Sequence, residues 1–274
     1  MTQLHWLAED NNEFPPTKNA LDDPNGLLAV GGDLSPERLI AAYSRGIFPW
    51  FSEGQPLLWW TPSPRMVLLP KNVHFGRTLR KLLRKRQFTI TVDTAFESVM
   101  RQCGTIDRRD QDGSWITEEM VDAYLELHSR GIAHSVEAWQ DGELVGGLYG
   151  VALGRAYFGE SMFSLASGAS KAAFSALVVQ LLRWGVKLID CQIETPYLAS
   201  FGASEIPRDE FELRLNESLK TPSASIGDLL DNDHRGLNDR FGLQSSWSTN
   251  WEMPEYGFDE HLFAEALRNT GASL

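Results

Sequence analysis

The sequence predicts an α+β fold in which a turn-rich, aromatic N-terminal stretch leads into a mixed-sheet domain. Two observations carry that prediction. Strand-like segments separated by short turns run from 133 to 160, as in a meander. A segment at 170–184 is apolar nearly all round, and one further strand-like segment, 188–192, follows it. At 274 residues the chain suits one large domain or two modest ones. A chain of that size buries roughly 70–75% of its unfolded surface, so it needs no disulfide or metal staple.

The elements follow in order. Within the turn-rich segment 14–70, Ser35 can cap a short helix. Pro36 stands at its first position, Glu37 favours the N-terminal dipole, and Gly46 can end it. GIFPWF (46–51) and LLWWTPSPR (57–65) come next, with Pro49, Pro56, Pro62 and Pro64 fixing the backbone without regular structure. Trp50, Phe51, Trp59 and Trp60 form either a local aromatic mini-core or an aromatic wall for a base or an apolar side chain. Phe75–Arg86 predicts a helix and Gln87–Val92 a strand. Thr117 can cap a helix running to about Ser129, with Glu118 and Glu119 in its first turn and Gly131 past its end. Strands are expected at Ala133–Trp139, Leu144–Val151 and Ala156–Glu160, with Asp141-Gly142 as a hairpin turn and a second turn near Gly154-Arg155. Ser170–Trp184 is a buried helix stopped by Gly185, and Leu188–Gln192 is the last strand.

Net charge is −12, which at face value argues against a nucleic-acid partner. Its distribution reverses that. Residues 71–86 hold seven bases and no acid, whereas 222–274 hold nine acids and three bases. On a helix, Arg77, Arg80, Lys81 and Arg84 follow i, i+3, i+4, i+7 opposite Leu79, Leu82 and Leu83, and Lys85 and Arg86 extend the patch. Such a stripe suits phosphates, with binding that weakens as salt rises.

Other classes are disfavoured. Cys103 and Cys191 are too few for a disulfide framework or for a tetrahedral zinc site of their own. The start, MTQLHWLAEDNNEF, lacks the basic and apolar regions of a signal peptide. The most apolar stretch, Ala172–Leu182, is far short of the ~20 residues that span a bilayer. His128 and His134 are the closest histidine pair but fit no metal motif. Gly31-Gly32 and Gly146-Gly147 sit in no phosphate loop, and read as turn or close-packing glycines. A soluble, cytoplasmic protein is expected.

Two polar exceptions locate chemistry. Asp190 and Gln192, two apart on a strand, are expected on one face with Cys191 on the other. In a central strand such groups are costly unless paired. Glu160 ends the preceding strand and is followed by Ser161, Met162, Phe163 and Ser164, a mix that describes a pocket.

Seven long motifs point to one family: PNGLLAVGGDLSPERLIAAYSRGIFPWF (24–51), LLWWTPSPR (57–65), WITEEMVDAYLELH (115–128), AHSVEAWQDGELVGGLYGVALG (133–154), YFGESMFS (157–164), LIDCQ (188–192) and ASFGASEIPR (199–208). On these the sequence resembles the leucyl/phenylalanyl-tRNA protein transferases. The resemblance implies a small N-terminal α/β domain (1–70) and an acetyltransferase-like (GNAT) mixed-sheet catalytic domain (71–221), followed by an acidic extension (222–274). It implies transfer of Leu or Phe, less readily Met, from aminoacyl-tRNA to proteins bearing N-terminal Arg or Lys, which marks them for the N-degron pathway. No metal or cofactor is implied, acetyl-CoA included. One active site per chain suffices, so a monomer is expected.

By the same resemblance, Asp190 and Gln192 relay the proton. Tyr43, Trp50, Trp115 and Tyr124 hold the tRNA end and its amino acid. Leu148, Tyr157, Gly159, Glu160 and Met162 shape the aminoacyl pocket, and the buried helix offers Leu177 and Leu181. Arg77, Arg80, Lys81, Arg84, Lys85 and Arg86 meet the acceptor stem. Tyr197 stands where the family commonly has His.

Overall fold

A computed structural model describes residues 4–8, 10–105 and 116–220. Trp115 and the acidic segment 222–274 therefore lie outside the described residues. The elements are β1 (His5–Leu7), β2 (Leu27–Gly31), α1 (Pro36–Tyr43), β3 (Phe48–Pro49), β4 (Leu58–Trp60), β5 (Arg65–Leu68), α2 (Arg77–Arg84), β6 (Thr89–Val92), α3 (Phe96–Thr105), α4 (Glu118–Ser129), β7 (Ala133–Gln140), β8 (Glu143–Leu153), β9 (Ala156–Ser164), α5 (Ala169–Arg183), β10 (Leu188–Gln192), α6 (Pro196–Ala199), β11 (Ser204–Ile206) and α7 (Arg208–Leu219).

They make two mixed sheets. The smaller has the order β1-β2-β4-β3, with β1 parallel to β2 and the other pairs antiparallel. The larger has the order β11-β5-β10-β9-β8-β7-β6, antiparallel throughout except where β9 and β10 run parallel. The smaller sheet corrects the expectation of a proline-fixed stretch without regular structure. Its strands are only two to five residues long, too short to show a period of two in sequence. β5, although N-terminal to residue 70, pairs with β10 and β11 in the larger sheet.

Local signals explain the element ends. Ser35 caps α1, its Oγ accepting from the Arg38 N–H, with Pro36 at the first position. Thr117 caps α4 in the same way through the Met120 N–H. α5 is buried along almost its whole length. It sits directly on β8 because Gly146 has no side chain: a Cβ there would come 2.5 Å from the Ala169 Cβ. One continuous core joins the two sheets, with Tyr43, Phe48 and Trp59 in the same cluster as Tyr149, Phe158 and Phe211. No helix among the described residues is long and apolar enough to cross a membrane.

Candidate active site

β9 and β10 pair only as far as Asp190 opposite Phe158. β9 continues to Ser164, and past the last pair the two strands border a cavity of about 790 Å³. Phe48, Pro49 and Trp50 from the small sheet form its other wall. Most of this lining is apolar, with a few polar groups converging on one end, as in small-molecule sites.

The polar end is a chain of contacts. Asp190 and Arg65 are both fully buried and form a two-pronged pair, with Nε to Oδ1 at 2.8 Å and Nη2 to Oδ2 at 2.6 Å. The Arg65 guanidinium lies between the rings of Phe48 and Phe211, 4.7 Å from each centroid. Asp190 Oδ1 also accepts the backbone N–H of Gln192 at 2.9 Å. Gln192 has φ of +63°, and the β10–β5 register slips between Asp190 and Gln192.

That bulge corrects the simple alternation expected of the strand, because an inserted residue re-aims the side chains beyond it. Asp190, Cys191 and Gln192 all border the cavity. Asp190 holds the backbone of Gln192, while the Gln192 amide donates from Nε2 to Glu160 Oε1 at 2.8 Å. A carboxylate only accepts, so this leaves the Gln192 carbonyl oxygen as the amide's free acceptor. The other Glu160 oxygen receives the Tyr124 hydroxyl at 3.3 Å, and Tyr124 pairs in turn with Tyr43.

Burial pushes the Glu160 carboxyl up to about 7, and the charge of Asp190 adds to this against the hydrogen bonds from Tyr43, Tyr124 and Gln192. Burial, with the Glu160 charge behind it, raises the Tyr43 and Tyr124 hydroxyls well above their ordinary range, so both stay protonated donors. Folding raises the neutral fraction of Glu160 relative to the unfolded chain. Its stabilising contribution is therefore complete below its ordinary 4.5 and is lost as pH rises through about 7. Relative to Glu160→Gln, the wild type is expected to lose up to about 3 kcal/mol between pH 5 and 8. Denaturant unfolding of both proteins at the two pH values measures that difference.

The structure gathers most of the residues read from sequence. Trp50, Leu148, Tyr157, Gly159, Glu160, Met162, Asp190 and Gln192 line the cavity. Tyr43 and Tyr124 are its buried backing, behind Glu160. α5 presents Ser170 and Phe174 to the cavity, whereas Leu177 and Leu181 are fully buried in the core and are not among its walls. Of Trp50, Phe51, Trp59 and Trp60, Trp50 alone borders it. Trp59 is core, with Nε1 bonded to the Gly31 carbonyl at 2.9 Å, Phe51 is buried, and Trp60 braces Trp50 through a 2.7 Å bond to its carbonyl.

On α2, Arg77, Lys81 and Arg84 are exposed and Arg80 is half-buried, with Lys85 and Arg86 exposed just beyond. The opposite side packs inward through Leu82 and Leu83, and Leu82 abuts Gly168 at the N-terminus of α5, two residues before cavity-lining Ser170. Asp93, His128 and His134 also cluster, but Asp93 already accepts the His134 ring and the Ser135 N–H, at 2.8 and 2.9 Å, and none of the three borders the cavity.

Sequence reasoning did not single out Arg65, which pairs with Asp190, or Phe48 and Glu194, which line the cavity. Arg65 sits inside a quoted motif, but its partner is 125 residues away and nothing local announces it.

Comparison with known proteins fits this geometry. Residues 67–216 match the sequence profile described as leucyl/phenylalanyl-tRNA protein transferase, and residues 32–63 match that of its N-terminal domain. The chain belongs to the leucyl/phenylalanyl-tRNA protein transferase family of enzymes. It is 57% identical over 259 residues to the member from Saccharophagus degradans, covering 94% of this chain and 99% of that one. It is 64% identical over 229 residues to the Teredinibacter turnerae member (82% and 88% covered), and 61% over 214 residues to that of Nitrosospira multiformis (78% and 91%).

Proposed function

We propose that this family member moves Leu or Phe, and less readily Met, from aminoacyl-tRNA to the α-amine of proteins with N-terminal Arg or Lys. In this reading it works as a monomer in the cytoplasm and marks those proteins for N-degron degradation. The observation that carries the reading is the cavity itself: an apolar wall of Trp50, Leu148, Tyr157 and Met162 faces the Glu160–Gln192 pair. The acetyltransferase-like fold belongs to the same reading, supported by the antiparallel run β7-β8-β9 followed by α5 and a parallel β10.

The aminoacyl ester is already activated, so the step needs neither ATP nor a cofactor. An α-amine has an ordinary pKa of ~7.7–8, so a usable neutral fraction exists near pH 7. The amine nitrogen bonds to the ester carbonyl carbon, the carbon–ribose oxygen bond breaks, and the amine proton passes to the leaving ribose oxygen. Gln192 accepts from the attacking amine through its free carbonyl oxygen. Asp190, anchored by Arg65, fixes the Gln192 backbone, and Glu160 orients its amide. Positioning of this kind is worth as much as ~7–11 kcal/mol in well-oriented systems. The apolar wall admits Leu and Phe and disfavours β-branched side chains by shape, within the ~1–3 kcal/mol per methylene of such pockets.

The basic stripe on α2 takes the tRNA acceptor stem. Arg77→Ala and Lys81→Ala are each expected to reduce the slope of log K against log salt by roughly 0.7–0.9. Filter binding of tRNA across a salt series measures it. The reaction itself is tested with radiolabelled Leu-tRNA and a protein with N-terminal Arg. Label in acid-insoluble, base-stable protein supports the proposal, and label that stays on the tRNA overturns it.

A further inference from the structure

We infer that Glu194 is the carboxylate that reads the cationic side chain of the acceptor's N-terminal residue, an assignment that rests on the transfer function proposed above. Among the described residues, the cavity walls carry three acids, Glu160, Asp190 and Glu194, and no lysine or arginine. A cationic group is therefore the one such a lining favours. Two of the three acids are already committed. Asp190 is fully buried and spends both oxygens on Arg65. Glu160 is half-buried and accepts from Gln192 and Tyr124. Glu194 differs from both: it lines the cavity and is exposed.

Its placement fits the reaction geometry. Glu194 lies two residues past Gln192, on the short link between β10 and α6. That link is held at both ends. Gln192 is pinned by Asp190, and Thr195 caps α6 through the Leu198 N–H at 3.2 Å. Two residues span at most ~7 Å of chain, a distance that a lysine or arginine side chain can bridge from its own Cα. An acceptor whose α-amine meets Gln192 can thus lay its cationic head against Glu194.

The test compares wild type, Glu194→Gln and Glu194→Lys on peptides beginning with Arg, Lys or citrulline, the last an uncharged counterpart of Arg. For Glu194→Gln, the KM for Arg and Lys peptides is expected to rise about fivefold, the scale of a partly exposed ion pair. The KM for citrulline peptide and for Leu-tRNA should stay put, so the Arg-to-citrulline preference narrows. Glu194→Lys should narrow it further. An unchanged Leu-tRNA KM also establishes that the variants are folded. Wild-type transfer with an unaltered Arg-to-citrulline ratio in Glu194→Gln overturns this inference alone. Absence of transfer by the wild type overturns the functional reading, and this assignment with it.

Discussion

Arg65→Ala is expected to destabilise the enzyme by about 3–5 kcal/mol, measured by denaturant unfolding, because it strands a fully buried Asp190 carboxylate. The attraction within the pair is offset by the cost of taking both ions out of water, so the intact pair adds little net stability. Breaking it exposes the whole desolvation cost. The variant also loses the guanidinium packed between Phe48 and Phe211. Replacing both partners, as in Arg65→Met with Asp190→Leu, should recover most of the stability, since no buried charge remains. It should not recover transfer, because the Gln192 N–H then has no acceptor to hold its backbone. This split between stability and activity separates a positioning pair from a purely structural one. Equal stability of Arg65→Ala and wild type would contradict it.

Gln192→Ala is expected to lower kcat about 10²–10³-fold with a much smaller change in either KM. That is the range for removing a single positioned proton acceptor or charge-stabilising group at a reacting centre. Gln192 also holds a left-handed φ, which few non-glycine residues adopt and which is concentrated at functional sites. Gln192→Asn accepts that backbone more readily than most residues, but its amide is one carbon shorter. It should therefore restore stability and little activity. Steady-state kinetics with Leu-tRNA and an Arg-terminated peptide check both variants.

Much of the larger sheet was legible in the sequence because its elements are long and locally punctuated. Strand Leu188–Gln192 and the Thr117-capped helix have the ends read from sequence, and the buried helix differs by one residue at each end. The small sheet was not legible, because strands of two to five residues carry no period. α3, Phe96–Thr105, was also unread, lying between the predicted strand and the Thr117 cap. In the site, Glu160 and Gln192 stood out as polar residues on apolar strands, and they do meet, at 2.8 Å. Their link to Asp190 ran differently from the pattern of alternation, because the bulge at Gln192 belongs to the pairing with β5 and leaves no local signature. Leu177 and Leu181 were equally apolar whether they faced the cavity or the core. Only the seating of α5 on Gly146 decides which face is which.

Transfer at the Glu160–Gln192 end of the cavity is tested most directly by single-turnover kinetics. Preformed Leu-tRNA is mixed with excess enzyme and saturating Arg-terminated peptide, for wild type and Gln192→Ala, with the bound tRNA fraction measured in the same samples. The expected result is equal tRNA binding with peptide lengthening about 100-fold slower in the variant. Equal rates of peptide lengthening at equal tRNA binding would contradict the account.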